Sequence, residues 1–209
     1  PTVTFKQLVY VGQDEVYEQM TLQPDEMHNP IFAGYYPDPS ITQVAGNYYT
    51  VNSTFAHFPG IPIMHSTDLV NWQQIGNAID RADMLDFKRL GLSRGVFAPT
   101  IEHHDGTYYI ATTCVDCGGN FIITAQDPAG PWSNPVWLPE VKGIDPSLFF
   151  DVDGSIWLMN NDEPKGGSTY EGHRAIWIRK IDPHTFQSIS APKQIINGGV
   201  KLEDKPIWI

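Results

Sequence analysis

Asp38 and Asp145 each open an Asp-Pro-Ser tripeptide, and each tripeptide runs into a branched apolar residue, Ile41 in one case and Leu148 in the other. A single Asp-Pro-Ser is an ordinary turn opener, because the short carboxylate caps nearby backbone N–H groups. Two of them at corresponding places in a repeat have a second reading. Carboxylates aimed at one water-filled pocket can divide acid and base duties, which is what hydrolysis of a glycosidic bond needs. Aromatic residues crowd the same neighbourhoods: Tyr35, Tyr36, Phe55, Phe58 and Phe97. Sugars offer flat C–H faces to rings and hydroxyls to carboxylates and amides. Each ring taken singly reads first as core packing, since that is where most aromatics of a β protein go.

Other chemistries lack their residues. There is no Gly-rich phosphate loop, no G-x-S-x-G elbow and no H-E-x-x-H. Cys114 and Cys117 form one C-x-x-C, with no second cysteine pair and no histidine pair to complete a zinc site. The pair follows a strand-like run, Tyr108 to Thr113, instead of opening a helix, so it reads as a local disulfide or two idle thiols. His65, His103 and His104 have no partners at ligand spacing, and no residue is assigned to a metal. Asn52-Ser53-Thr54 is a glycosylation sequon by pattern, but it abuts the proposed pocket, where a glycan would obstruct access.

The elements that position these groups repeat. Asp38-Pro39-Ser40-Ile41 leads to a turn at Gly46-Asn47, the pair Tyr48-Tyr49, an apolar run, and Asp68 to Trp72. Ala98-Pro99-Thr100-Ile101 leads through Asp105-Gly106 and Tyr108-Tyr109 to Phe121–Thr124, then to Asp127-Pro128 and Trp132. Asp145-Pro146-Ser147-Leu148 leads through Asp153-Gly154 and Ile156-Trp157 to Ala175–Ile178, then to Asp182-Pro183 and Phe186. The interval from motif proline to the later Asp is 29, 28 and 36 residues. Each unit reads as four short strands joined by hairpin turns, with Trp72, Trp132 and Trp157 packing between units. Helical periodicity shows only faintly, over Ala82–Leu90. Four-stranded units at this period predict the blades of an all-β propeller, with a β-sandwich as the alternative. The motif starts at 38, 98 and 145 predict about three blades plus the start of a fourth. A ring closes with at least four, so the chain is expected to be an incomplete propeller.

Composition narrows the partners. The chain has 209 residues, 24 Asp+Glu against 13 Lys+Arg and a net charge of −11, so it lacks the basic footprint that nucleic acid requires. No apolar run approaches the roughly 18 residues of a membrane span, which predicts no membrane partner. Its 18 Gly and 17 Pro are spread along the whole length, as many short elements and turns demand. Pro1 is not a translation start and the compartment stays open, with a secreted or periplasmic location favoured over a cytoplasmic one.

The ordered set Asn29-Pro30-Ile31, Tyr36 to Ile41, Ser53-Thr54-Phe55, Phe58-Pro59-Gly60, Gly95 to Thr100, Asp127 to Trp132 and Gly143 to Leu148 resembles glycoside hydrolase family 43. The resemblance covers residues 28–209, which would form the catalytic propeller domain, and leaves 1–27 as an N-terminal extension. It implies a five-bladed β-propeller that hydrolyses with inversion. Asp38 matches the general base and Asp145 the auxiliary Asp that orients the acid and raises its pKa. Phe55 and Phe97 match substrate-binding positions, with Phe97 standing where the family usually has Trp. The family's acid is a Glu in an E-G-P-H segment, which nothing in this chain matches; Glu203 has different neighbours. The general acid is therefore expected outside this chain, and the fragment alone is expected to be inactive. The stretch from Phe55 to Gly60 is most similar to the β-xylosidase and α-L-arabinofuranosidase branch. That implies a xylo- or arabino-oligosaccharide substrate and the remainder of the propeller as partner. It implies no required cofactor and leaves room for a calcium ion in the channel. The competing readings are a sugar-binding propeller without turnover and a fructan-cleaving propeller glycosidase.

Overall fold

The computed structural model describes residues 23, 26, 27 and 29–199. The chain divides into two units, 1–34 and 35–209. In the first, the Gln23 amide donates to the Glu26 carboxylate at 2.9 Å and the Glu26 amide to the Gln23 carbonyl at 3.0 Å, closing one turn. The rest of the expected extension over 1–27 lies outside the described residues, as does the expected start of a fourth blade beyond residue 199.

The second unit is built of strands, and no helix occurs among the described residues. The first sheet runs in chain order through β1 (Ser40–Val44), β2 (Asn47–Val51), β3 (Gly60–Ser66) and β4 (Gln73–Ile79). The second comprises β5 (Gly95–Val96), β6 (Thr100–His104), β7 (Thr107–Val115), β8 (Gly119–Ala125) and β9 (Val136–Trp137). The nine-residue β7 pairs with β6 along its first half and with β5 at its far end, so β5 and β6 act as one interrupted inner strand. The third sheet is β10 (Ile144–Phe150), β11 (Ile156–Asp162), β12 (Ala175–Ile181) and β13 (Lys193–Asn197), again in chain order. The faint helical pattern at Ala82–Leu90 is a loop of turns, anchored by buried Met84 and Leu85.

Turn chemistry explains the repeat. Ala45 and Gly46, and likewise Asp105 and Gly106, take positive φ in two-residue hairpins that close Val44 against Asn47 and His104 against Thr107. The third unit uses a five-residue loop at 151–155 instead. Asp68, Asp127 and Asp182, the later Asp of each unit, accept backbone N–H bonds from Val70 and Asn71, from Ala129, and from His184 and Thr185. These carboxylates hold turns, which accounts for their recurrence without any catalytic role.

The core lies between sheets. One cluster joins Val51, Ile61 and Ile63 of the first sheet to Ile101, Ile110, Phe121 and Ile123 of the second. The other joins Ala111 and Ile122 of the second to Leu148, Leu158 and Ile181 of the third. Neighbouring residues of β7 and β8 therefore face opposite blades, and two-sided burial erases the polar alternation that a half-exposed strand would show. Ile122 is fully buried against the third blade and Val152 is fully exposed. In the protein that carries this chain, Ile122→Ala is expected to cost about 3 kcal/mol by urea unfolding. Val152→Ala should stay within about 0.5 kcal/mol.

Of the tryptophans expected between blades, Trp132 is buried in the first shared core. Its turn leans on β4, where Gly76 leaves space for the Ala129 carbonyl. The other two lie outside both shared cores. Trp157 lies opposite the core-facing Ile156 and Leu158 on β11, beneath the Lys180 ammonium of its own sheet, 4.8 Å from the ring centroid. The Trp72 indole N–H donates to the Leu69 carbonyl within its own turn.

Candidate functional site

The inner strands β1, β6 and β10 tie adjacent sheets together at one end. The Ile101 amide donates to Ser40 Oγ at 3.1 Å, and Thr100 Oγ1 donates to the Pro146 carbonyl at 2.9 Å. Asp38 stands just before β1 and Asp145 near the start of β10, so both carboxylates occupy this inner rim.

Their backbones match as well. Asp38 has φ of 52° and Asp145 of 56°. A left-handed backbone costs an L-residue about 1–2 kcal/mol and persists only where its surroundings enforce it. At Asp145 the ladder between β10 and β11 also slips between Ile144 and Ser147, a bulge that turns the carboxylate out of the regular pleat.

The enforcing groups form a repeat that sequence reading missed. At the end of each second strand stands a polar pair: Asn52-Ser53, Thr112-Thr113 and Asn160-Asn161. The first member grips the backbone leading into the inner strand. Asn52 donates to the Tyr36 and Pro37 carbonyls at 2.9 and 3.1 Å, Thr112 to the Phe97 carbonyl at 2.9 Å, and Asn160 to the Lys142 carbonyl at 2.6 Å. The second member meets the motif carboxylate where there is one. Ser53 Oγ donates to Asp38 Oδ2 at 2.5 Å, and Asn161, paired with Ile144 on the neighbouring strand, is the side-chain donor that pulls the Asp145 carboxyl down. In the middle unit the motif residue is Ala98, and Thr113 turns to Asn120 Oδ1 instead. The readable signal was the polar pair recurring 13, 13 and 14 residues after the motif proline. As a sequon Asn52 has no access for a glycan, since it is fully buried.

Electrostatics couples the two carboxylates. The Asp145 carboxyl is pushed up from its ordinary value, first by desolvation and next by the negative charge of Asp38, while the Asn161 bond and the Arg174 charge pull it down. Asp145 is nonetheless open to solvent on one side, as is Asp38, so water reaches both.

The aromatic pair is also brought together. Phe55 has φ of 50° and bridges to Val96, exchanging amide bonds of 2.8 and 3.0 Å. This close approach requires Gly95, because a Cβ there would overlap the Phe55 carbonyl. The result sets the Phe55 and Phe97 rings edge to face at 5.4 Å, with Tyr35 beyond, 6.0 Å from Phe55. Both phenylalanines are half-buried, so each keeps a surface free for a ligand. Cys114 and Cys117 are joined as a disulfide across the β7–β8 turn. Among the described residues no three His, Cys, Asp or Glu side chains converge on a point that could hold a metal, so no ligand is named for a channel ion. Glu203 lies outside the described residues.

Comparisons with known proteins agree with this arrangement. The chain matches Glycosyl hydrolases family 43 over residues 27–209. It is 45% identical over 176 residues to a xylosidase/arabinosidase of Butyrivibrio fibrisolvens, covering 83% of this chain and 34% of that protein. It is 38% identical over 183 residues to the non-reducing end alpha-L-arabinofuranosidase BoGH43B of Bacteroides ovatus, covering 86% and 32%. The crystal structure of a GH43_12 protein from a capybara gut metagenome superposes with a TM-score of 0.85 at 46% identity, covering 94% of this chain and 38% of that one. The xylan beta-1,4-xylosidase from Bacillus halodurans C-125 gives 0.76 at 36%, covering 83% and 34%. The chain spans about a third of the length of these curated relatives. With that family match over residues 27–209 and three stacked antiparallel sheets, the chain belongs to glycoside hydrolase family 43 and supplies three blades of that family's five-bladed propeller.

Proposed function

We propose that the protein carrying this chain is an inverting exo-glycosidase that removes terminal xylose or arabinose from xylan or arabinoxylan fragments. The observation that carries the reading is the pair Asp38 and Asp145, at equivalent left-handed positions on two inner strands, close enough for one charge to act on the other and flanked by the Phe55–Phe97 wall. The names of the relatives support the substrate class.

Asp38 is the general base in this reading. The Ser53 hydroxyl occupies Oδ2 and leaves the second carboxylate oxygen to accept a proton from water. The water oxygen then bonds to the anomeric carbon as the bond to the leaving oxygen breaks on the opposite face. The leaving oxygen takes its proton from a carboxylic acid outside these 209 residues. Asp145 acts through charge: an ionised neighbour penalises ionisation of the acid and keeps it protonated near neutral pH. Phe55 and Phe97 receive the C–H face of the terminal sugar.

The test is to follow aryl β-xyloside and aryl α-L-arabinofuranoside hydrolysis by proton NMR in the intact enzyme. The first xylose formed should be the α-anomer, before mutarotation. First-formed β-xylose would establish retention and replace the base with a nucleophile. No turnover of either glycoside by the intact protein would sink the pentosidase reading.

A further inference from the structure

The two carboxylates are held by groups of different kinds. Asp38 meets a neutral hydroxyl from Ser53, whereas the side-chain donor acting on Asp145 is the amide of Asn161, which sits on the paired strand opposite Ile144, and that amide is not free to turn. Arg174 Nε donates to Asn161 Oδ1 at 2.9 Å. A guanidinium can only donate, so the carbonyl end of the amide is committed to Arg174 and the NH2 end points away. That NH2 is the group able to donate to Asp145. Flipping the amide would set N–H against N–H on one side and C=O against carboxylate on the other. The backbone fixes the rest of the arrangement. Asn161 pairs with Ile144, a Cβ on Gly143 would overlap the Asn161 carbonyl, and the Arg174 carbonyl accepts the Gly198 amide at 2.9 Å.

We propose that Arg174 and Asn161 are positioning residues for Asp145, forming a guanidinium–amide–carboxylate relay that fixes which way the carboxylate faces in the site. The inference rests on the assignment of Asp145 above. The neighbouring pair repeats the same logic without a carboxylate. Arg179 Nη2 donates to Asn160 Oδ1 at 3.2 Å, which leaves the Asn160 NH2 to donate to the Lys142 carbonyl. Both asparagines of the Asn160-Asn161 pair are thus set by an arginine, one just before β12 and one within it. Arg174 and Asn161 also both favour the charged form of Asp145. The charges acting on Asp145 are those of Asp38 and Arg174. On the adjoining strands Arg179 is turned to Asn160 and Glu140, Lys180 to Ser155 and Asp153, and Asp162 acts on Arg179. On β6 His103 packs tilted against Tyr108 and His104 stacks on Phe150, and Glu102 is the remaining carboxyl there, half-buried and pushed up by desolvation.

The test compares pH profiles of kcat/KM in the intact enzyme. Removing a positive charge and a donor raises the Asp145 pKa, so its ionised form is lost at higher pH as the solution is acidified. Arg174→Met should therefore move the acid limb up by roughly one pH unit and lower kcat about tenfold, with KM within about twofold. Arg174→Lys, which keeps the charge and one donor, should restore most of the limb. Asn161→Asp sets a like charge against Asp145 and should move the limb further still. In an Asp145→Asn background, Arg174→Met should change residual kcat no further, because the group it acts on is gone. An acid limb unmoved in both Arg174→Met and Asn161→Asp, with Asp145→Asn impaired, overturns the relay and leaves the assignment of Asp145 standing. Asp145→Asn with unimpaired turnover overturns both. If Arg174→Met proves unstable on melting, Arg174→Gln takes its place. It keeps a donor without the charge and must shift the limb in the same direction, and an unmoved limb there overturns the relay too.

Discussion

Asp38→Asn in the intact enzyme is expected to lower kcat about 10³-fold or more, while KM for an aryl xyloside stays within about threefold. Asn tolerates the left-handed backbone that Asp38 adopts, and its amide oxygen can still accept the Ser53 hydroxyl. The shape and hold of the residue therefore survive, and what disappears, on the proposed mechanism, is the proton acceptor for the attacking water. Azide separates the two contributions, because it attacks without needing a base. Rescue of the variant by azide, giving the inverted glycosyl azide, would place the defect at water activation. Turnover within tenfold of wild type would move the base to another residue.

Gly143→Ala is expected to be the most damaging single-atom change in the described residues around the site. Its φ is 79°, and a Cβ would overlap the Asn161 carbonyl oxygen and fall 2.9 Å from Asp162 Cα. Both are backbone atoms of a paired strand and have no easy way to yield. Gly46 supplies the control: its φ is 80°, but nothing lies within 4 Å of an added Cβ. Gly46→Ala should cost about 1 kcal/mol, the strain of the left-handed backbone alone. Gly143→Ala should cost about 4 kcal/mol or more and also displace Asp145, two residues on. Urea unfolding of the two variants measures the difference. Equal losses would mean that the close approach of Gly143 to β11 is absent from the folded protein.

The blades were legible because their turn chemistry is local. The Ala45-Gly46 and Asp105-Gly106 hairpins and the Asp68, Asp127 and Asp182 caps are each spelled within a few residues. The loss of period-2 alternation in β7 and β8 was itself a signal, since it follows from burial on both faces. Asp38 and Asp145 stood out because two repeats align. The meeting of Phe55 and Phe97 needed more, because the Phe55–Val96 bridge joins a loop to a strand about forty residues on, and nothing local spells it. The polar pairs behind the carboxylates were passed over for a physical reason. Ser, Thr and Asn at strand ends are common and cheap there, and only their bonds to the preceding inner strand distinguish them.

The shared cores have a consequence for how such a chain can be cut and rejoined. Each apolar cluster belongs to a junction between sheets and not to one sheet. A break between blades that let them part, the kind that modular shuffling would use, therefore opens a core. A break at a hairpin tip, such as the loop at 151–155 where Val152 is fully exposed, leaves both junctions closed. New termini, affinity tags or inserted domains are thus best tolerated inside a blade. The natural unit of inheritance in this architecture is accordingly the face-to-face pair of sheets, and the single blade is only its visible half.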